Sequence, residues 1–290
     1  MRLGLKISRF RNDGGPATLG KDLARVVRAG EQAGFGSVSV MDHLLQIGVH
    51  GPITDPMLEA YTTLGFLAAH TETVELHTTV TATVYREPGL LAKIISTLDV
   101  LSGGRAWLGI GAAWFEEETQ ALGLPFPGLK ERFERLEETL RICGQMWSDS
   151  EEPFHGEHYH LDRTLNVPQP LRTPPIMIGG TGEQKTLRLV AQYAQSCNFP
   201  GVQPPEITHK LTVLREHCDR LGTDYDAIRK TVTRNLDIGE RGEDADKVVD
   251  ELGALAEAGI QWSLGDLARV WDPSTIELYA ERVIPQIEAF

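Results

Sequence analysis

Residues 74–118, VELHTTVTATVYREPGLLAKIISTLDVLSGGRAWLGIGAAWFEEE, decide the fold. Residues 74–80 are rich in β-branched side chains, which suit a pleated backbone. From there the apolar positions Leu90, Leu91, Ile94, Ile95, Leu98 and Leu101 form one stripe at helical spacing. Ser102-Gly103-Gly104-Arg105 ends that helix, because glycine supplies the left-handed backbone that a Cβ disfavours. AWLGIG, residues 106–111, is a short apolar run that reads as a strand buried on both faces. Two such strands joined by a helix lie parallel, with a right-handed crossover. In these units chemistry collects where the strands end, here at Thr79-Val80-Thr81 and at Gly111-Ala112-Ala113.

Outward from this unit the same alternation continues. Strands are expected over residues 3–8, 37–41, 175–178, 196–199, 231–238 and 260–264. Helices are expected over residues 19–33, 56–70 (with Pro56 in the first turn), 129–147, 183–193, 206–221, 244–258 and 274–288. Eight strands and eight helices in strict alternation favour a closed (β/α)8 TIM barrel spanning residues 1–290 as one domain. Two stretches break the period, about 113–127 after strand four and 148–174 before strand five. The second contains FHGEHYHL and reads as a small hairpin insertion. Excursions of this length on a barrel commonly form lids or pocket walls.

Composition narrows the function classes. A net charge of −13 argues against general binding to nucleic acid or anionic membranes. No apolar run reaches the roughly 20 residues that span a bilayer, and the first residues lack a signal-peptide core. Cys143, Cys197 and Cys218 are far apart and in no metal-binding spacing, which fits a reduced, cytoplasmic setting.

The candidate chemistry sits at strand ends. Asp42-His43 pairs a carboxylate with an imidazole that can exchange a proton near neutral pH, making these the catalytic candidates. Gly111 and Ala112 let a planar ring or a phosphate approach the backbone closely. Gly109-Ile110-Gly111 begins a dinucleotide fingerprint, but Trp114 stands where its third glycine belongs, so that reading is rejected. Gly179-Gly180-Thr181-Gly182 runs from a strand into a helix N-terminus and is the clearest anion site, with Lys185 or Arg188 beside it. Gln184 replaces the second glycine of a P-loop there, which excludes nucleoside triphosphate hydrolysis. The run Glu116-Glu117-Glu118 reads as a solvated helix start, with Glu116 the candidate contact to substrate or cofactor. Ser8, at the end of the first strand, is the other candidate contact. His155, His158 and His160 lie in an extended stretch where only two of them share a face, so no metal is expected. Tyr85, Trp107 and Trp147 read as packing residues, although Tyr85-Arg86 lies near the rim.

The patterns TxVTxxxYRxPG and LLAKxxxTLDxLSGGRxxLGIGxxWxEEE resemble the bacterial-luciferase-like flavin and deazaflavin oxidoreductases. Among these the chain is most similar to the actinobacterial branch that uses coenzyme F420, an 8-hydroxy-5-deazaflavin. The resemblance implies a luciferase-like TIM barrel and hydride transfer between the cofactor C5 and a small organic substrate. It places Asp42-His43 against the cofactor ring, Thr79 and Val80 behind the ring in a bulge, and the cofactor phosphate on residues 179–182. Homodimers are common in the family, and the faces of helices 56–70 and 90–101 would serve either as such an interface or as the outer ring of a monomer. FMN is the alternative cofactor, which would make the chain a monooxygenase fed by a separate reductase. A non-catalytic flavin- or deazaflavin-binding protein is the reading from another class. A nicotinamide-dependent aldo-keto reductase is disfavoured, because its catalytic tetrad cannot be laid onto these strand ends.

Overall fold

The computed structural model describes all 290 residues. The strands are β1 (Arg2–Ile7), β2 (Ser37–Val40), β3 (Glu75–Thr78), β4 (Thr81–Ala82), β5 (Leu108–Gly111), β6 (Phe154–His155), β7 (His160–Leu161), β8 (Ile176–Gly179), β9 (Ser196–Pro200), β10 (Arg229–Leu236) and β11 (Trp262–Leu267). The helices are α1 (Pro16–Gln32), α2 (Ala60–Ala68), α3 (Pro88–Ser102), α4 (Glu116–Ala121), α5 (Leu129–Met146), α6 (Thr186–Tyr193), α7 (Pro204–Leu221), α8 (Ala245–Glu257), α9 (Pro273–Arg282) and α10 (Ile284–Ile287).

Parallel pairing runs β3-β2-β1-β11-β10-β9-β8-β5-β4. The ends of that row meet, because Leu76 of β3 bridges Ala106 just before β5, with Leu76 N–H on Arg105 O and Trp107 N–H on Leu76 O, both 2.9 Å. β4 continues β3 past a break at Thr79-Val80 and pairs with the end of β5. Counting β3 and β4 as one position, the barrel is closed and eight-fold. Strand outer faces (Leu5, Val38, Leu76, Leu108, Ile178, Val232) join the helices in one hydrophobic cluster of 65 residues.

The opening stretch folds as its residues dictate. Gly103 ends α3 in the left-handed conformation, at φ 70°. Arg105 then donates to the carbonyls of Ala68, Thr71, Val74 and Ser102 at 2.7–3.0 Å, tying the ends of α2 and α3 to the start of β3. Gly109 is a steric requirement, since a Cβ there would lie 2.0 Å from Thr78 O. Gly109→Ala is therefore expected to destabilise the protein by roughly 3 kcal/mol, the scale of an overpacked core. Thermal denaturation checks this, and an unchanged midpoint would refute it.

Several boundaries differ from the sequence reading. α2 begins at Ala60 because the Glu59 carboxylate caps it from Thr62 N, which leaves Pro56 outside the first turn. α6 begins at Thr186 and not at residue 183. Residues 116–121 form a short helix at the head of the long connection, where the glutamate run reads as a helix start. The last helix divides at Pro285, which has no N–H to continue α9.

The β6–β7 hairpin exists and is antiparallel, but it forms no lid. It docks on α5, where the Glu138 carboxylate accepts from the N–H groups of Glu157, His158 and Tyr159 at 2.6–3.1 Å. Gly156 is required for that approach, as a Cβ would meet Glu138 Oε2 at 2.2 Å. Of the three histidines, His155 and His160 face each other across the hairpin, while His158 turns to Glu134 at 3.1 Å, beside Glu157. No helix is long and apolar enough to cross a membrane.

Candidate active site

The C-terminal strand ends surround a cavity of about 550 Å³. His43, Thr79, Val80, Gly111, Ala112, Gly179 and Gly180 all border it, as do Asp42, Tyr85, Trp114 and Phe115. The barrel therefore brings together most of the strand-end candidates, although they lie far apart in the chain.

His43 follows β2 and is oriented by Glu118 of α4, with Nδ1 3.0 Å from Oε2. Glu118 is fully buried and also accepts from the N–H groups of Leu44 and Leu45 and from the Tyr85 hydroxyl. Burial works to raise the Glu118 pKa, but hydrogen bonds from His43, Tyr85 and Leu45 outweigh it and hold the carboxyl below the ordinary glutamate range. An ionised Glu118 accepts the Nδ1 proton of His43 and leaves Nε2 without a protein partner. Burial and the neighbouring Glu118 raise the Tyr85 pKa, so the phenol stays protonated and donates. Trp114 and Phe115 pack edge-on to the imidazole, with centroids 5.7 and 5.8 Å away, and restrict its rotation.

Asp42 borders the cavity but turns its carboxylate to Arg86, which grips it in a fork at 2.6 and 3.0 Å and holds Glu59 at 2.6 Å. Burial raises the Asp42 pKa, while the Arg86 fork and Thr81 pull it down; Arg86 itself is held cationic by Asp42. With both oxygens engaged, Asp42 fixes the β2 end that carries His43.

The break between β3 and β4 forms the cavity floor. The Thr79–Val80 peptide is cis. The Val80 side chain sits between Gly111 and Gly179, where added Cβ atoms would approach it to 3.1 and 3.0 Å. Those glycines are what admit an isopropyl group between two strands. Next to them, Gly180 has φ 132°, and the N–H groups of Thr181 and Gly182 have no backbone partner.

The structure places several of the sequence candidates off the cavity wall. Glu116 is exposed and bonds Gln120 at 2.9 Å; the member of the glutamate run that enters the site is Glu118. Ser8 does not border the cavity: its hydroxyl meets Lys6 and its carbonyl accepts from Gln46 at 3.0 Å. Thr181 and Gly182 lie beyond the cavity wall, towards α6. Arg188 is engaged by Glu137 at 2.6 Å and is not free to serve an anion. Sequence reasoning missed Glu118, Tyr85 and Arg86 as site residues. The available signal for Glu118 was its position three residues after Phe115, on the same helical face.

Another polar wall holds Lys6 and His50. Burial and the nearby Lys6 charge push the His50 pKa down from 6.5 to about 4. The unfolded chain then takes up a proton between these values that the folded chain refuses, so stability falls as pH drops from 6.5 to 4. His50→Asn is expected to flatten that part of the melting-temperature profile. A profile with the wild-type slope would contradict the assignment.

Residues 1–273 match the family model for luciferase-like monooxygenases. The chain belongs to that family. It is 31% identical over 274 residues to a protein of Nakamurella multipartita named F420-dependent glucose-6-phosphate dehydrogenase, covering 91% of this chain and 78% of that one. It is 34% identical over 186 residues to a protein of the same name from Microbacterium testaceum, covering 62% of this chain and 53% of the relative. A solved F420-dependent secondary alcohol dehydrogenase, in complex with an F420-acetone adduct, superposes with a TM-score of 0.82 at 19% identity. That alignment covers 99% of this chain and 98% of the other. The coenzyme F420-dependent tetrahydromethanopterin reductase of Methanopyrus kandleri gives 0.80 at 16% identity, covering 99% of each chain. These last two establish the shared barrel.

Proposed function

We propose that this protein is a deazaflavin-dependent oxidoreductase that moves a hydride between coenzyme F420 and a small organic substrate. The observation that carries the reading is the Glu118–His43 dyad at a largely apolar cavity, in a chain 31% identical to a relative named F420-dependent. The residues fit such a group. Val80, held between Gly111 and Gly179, offers an apolar face to a flat ring, and the free N–H groups of Thr181 and Gly182 offer donors to a phosphate. When bound, the deazaflavin supplies a two-electron hydride carrier at its C5.

The protein's own part is orientation and one proton. Glu118 holds the Nδ1–H of His43, so Nε2 accepts the proton of a substrate hydroxyl or, in the reverse direction, protonates a carbonyl oxygen. The Arg86–Asp42–Glu59 linkage keeps the β2 end in place during that exchange. Trp114 and Phe115 pack edge-on against the imidazole and hold its orientation. The reading includes a cytoplasmic setting, where the three buried thiols stay reduced, and a homodimer formed through the exposed Phe66, Leu90 and Leu101.

Fluorescence-quenching titration tests the cofactor. Coenzyme F420 is expected to bind at micromolar concentration while FMN does not. Tight binding of FMN with no response to F420 would replace this reading with that of an FMN-dependent monooxygenase fed by a separate reductase.

A further inference from the structure

One cluster on the cavity wall has no part in the proton chemistry above. Lys6 on β1 and Asp266 on β11 are register partners, 4% and 2% exposed, with Nζ 3.6 Å from Oδ2. Arg9 brings a second cation to the other oxygen, 3.8 Å from Oδ1. His50 Nδ1 stands 3.3 Å from Oδ2. Neither Lys6 nor Arg9 is paired with any other carboxylate, so one buried anion is shared between two cations. The contacts are loose as well, since Asp266 Oδ2 makes no well-formed hydrogen bond. Lys6 donates to the Ser8 hydroxyl and has donor capacity left, on a wall that borders the cavity.

Burying charge without full compensation is costly, and an ion pair this long recovers little of the cost. A carboxylate arriving at Lys6 would balance the cluster at two cations and two anions. The cavity also presents Met41, Ile47 and Val49, which suit a hydrocarbon chain. We infer that Lys6 anchors a substrate carboxylate, which makes the substrate an aliphatic acid whose hydroxyl or carbonyl oxygen is presented to His43. This rests on the proposed oxidoreductase reading for the His43 end, while the Lys6 end stands on its own charge arrangement.

Calorimetric titration of the purified protein, with and without saturating F420, uses hexanoate and 1-hexanol as probes. Hexanoate is expected to bind roughly tenfold tighter or better, as a charged hydrogen bond in a dry site implies. Lys6→Met should erase that preference. It leaves Asp266 with Arg9, one anion to one cation, so the melting temperature should hold or rise; a purely structural Lys6 would lower it. Asp266→Asn should strengthen hexanoate binding by removing the competing anion, and it decides the matter if Lys6→Met does not fold. Equal affinity for the two probes, a preference that survives Lys6→Met, or weaker hexanoate binding in Asp266→Asn would overturn the inference. So would displacement of hexanoate by F420, which would assign this wall to the cofactor. If F420 does not bind at all, the cofactor reading fails, and the probe comparison on the cofactor-free protein still decides this one.

Discussion

Glu118→Gln is expected to lower kcat by about two to four orders of magnitude while leaving F420 affinity within a few-fold of wild type. The carboxylate accepts the Nδ1 proton of His43 and the N–H groups of Leu44 and Leu45 at the same time. A glutamine oxygen can replace the acceptor for the two amides, but its NH2 group then faces Nδ1 and cannot accept from it. The imidazole is left in the wrong tautomer, with Nε2 protonated where a base is needed, or it rotates away from the site. His43→Gln should produce a comparable loss, and the double variant should be little worse than either single one, because the two groups act as a unit. The measurement is steady-state turnover with a substrate taken from a screen of alcohols and carbonyls, beside a cofactor titration on each variant. Retention of a third or more of the wild-type kcat by Glu118→Gln would remove the dyad from the mechanism.

Arg105→Ala is expected to destabilise the fold by about 3–5 kcal/mol, a loss well above that of an ordinary surface substitution. One guanidinium satisfies carbonyls at the end of α2, in the loop to β3, at Val74 and at the end of α3. Hydrogen bonds from a charged donor contribute about 1.5–3 kcal/mol each, and orphaned carbonyls add a desolvation cost. Arg105 is half-buried, so water recovers part of the loss, and the figure is set below the simple sum. The positive charge also sits at two helix C-termini, where the macrodipole favours it. Arg105→Lys should recover only a minor share, since a single ammonium cannot span four carbonyls. Urea denaturation of the three proteins measures this. A loss under 1 kcal/mol for Arg105→Ala would show that the carbonyls are served by other means.

These two residues differ in how readable they were. The SGGR segment was legible as a helix stop, because the glycine conformation and the loss of apolar periodicity are local properties. The role of Arg105 beyond that stop was not, because its acceptors include residues more than 30 positions earlier in the chain. The glutamate run shows the same division. Its three members are chemically identical, and helix position was the only guide to choosing among them. Exposed Glu116 and buried Glu118 exchange their expected roles because α4 turns Glu118 inward, onto His43 and Tyr85 behind the cavity wall. Arg86 looked like a rim residue until the fold placed Asp42 within reach of its fork. The hairpin was legible as a hairpin but not as a brace on α5, since that depends on Glu138 meeting three amides from another segment.

By itself, the sequence determined the strand and helix alternation, the stop after α3, the strand-end positions of His43, Val80, Gly111 and Gly179, and the family to which residues 74–118 point. Those features depend on local conformation and on periodic burial, which a few neighbouring residues encode. The tertiary structure alone decided which glutamate orients His43, that Asp42 is bound to Arg86, and that Lys6 and Arg9 share one buried carboxylate. Each of these is a contact between charged groups distant in the chain. Only barrel closure sets such distances, and they decide which group stays ionised, which is held and which is left to act.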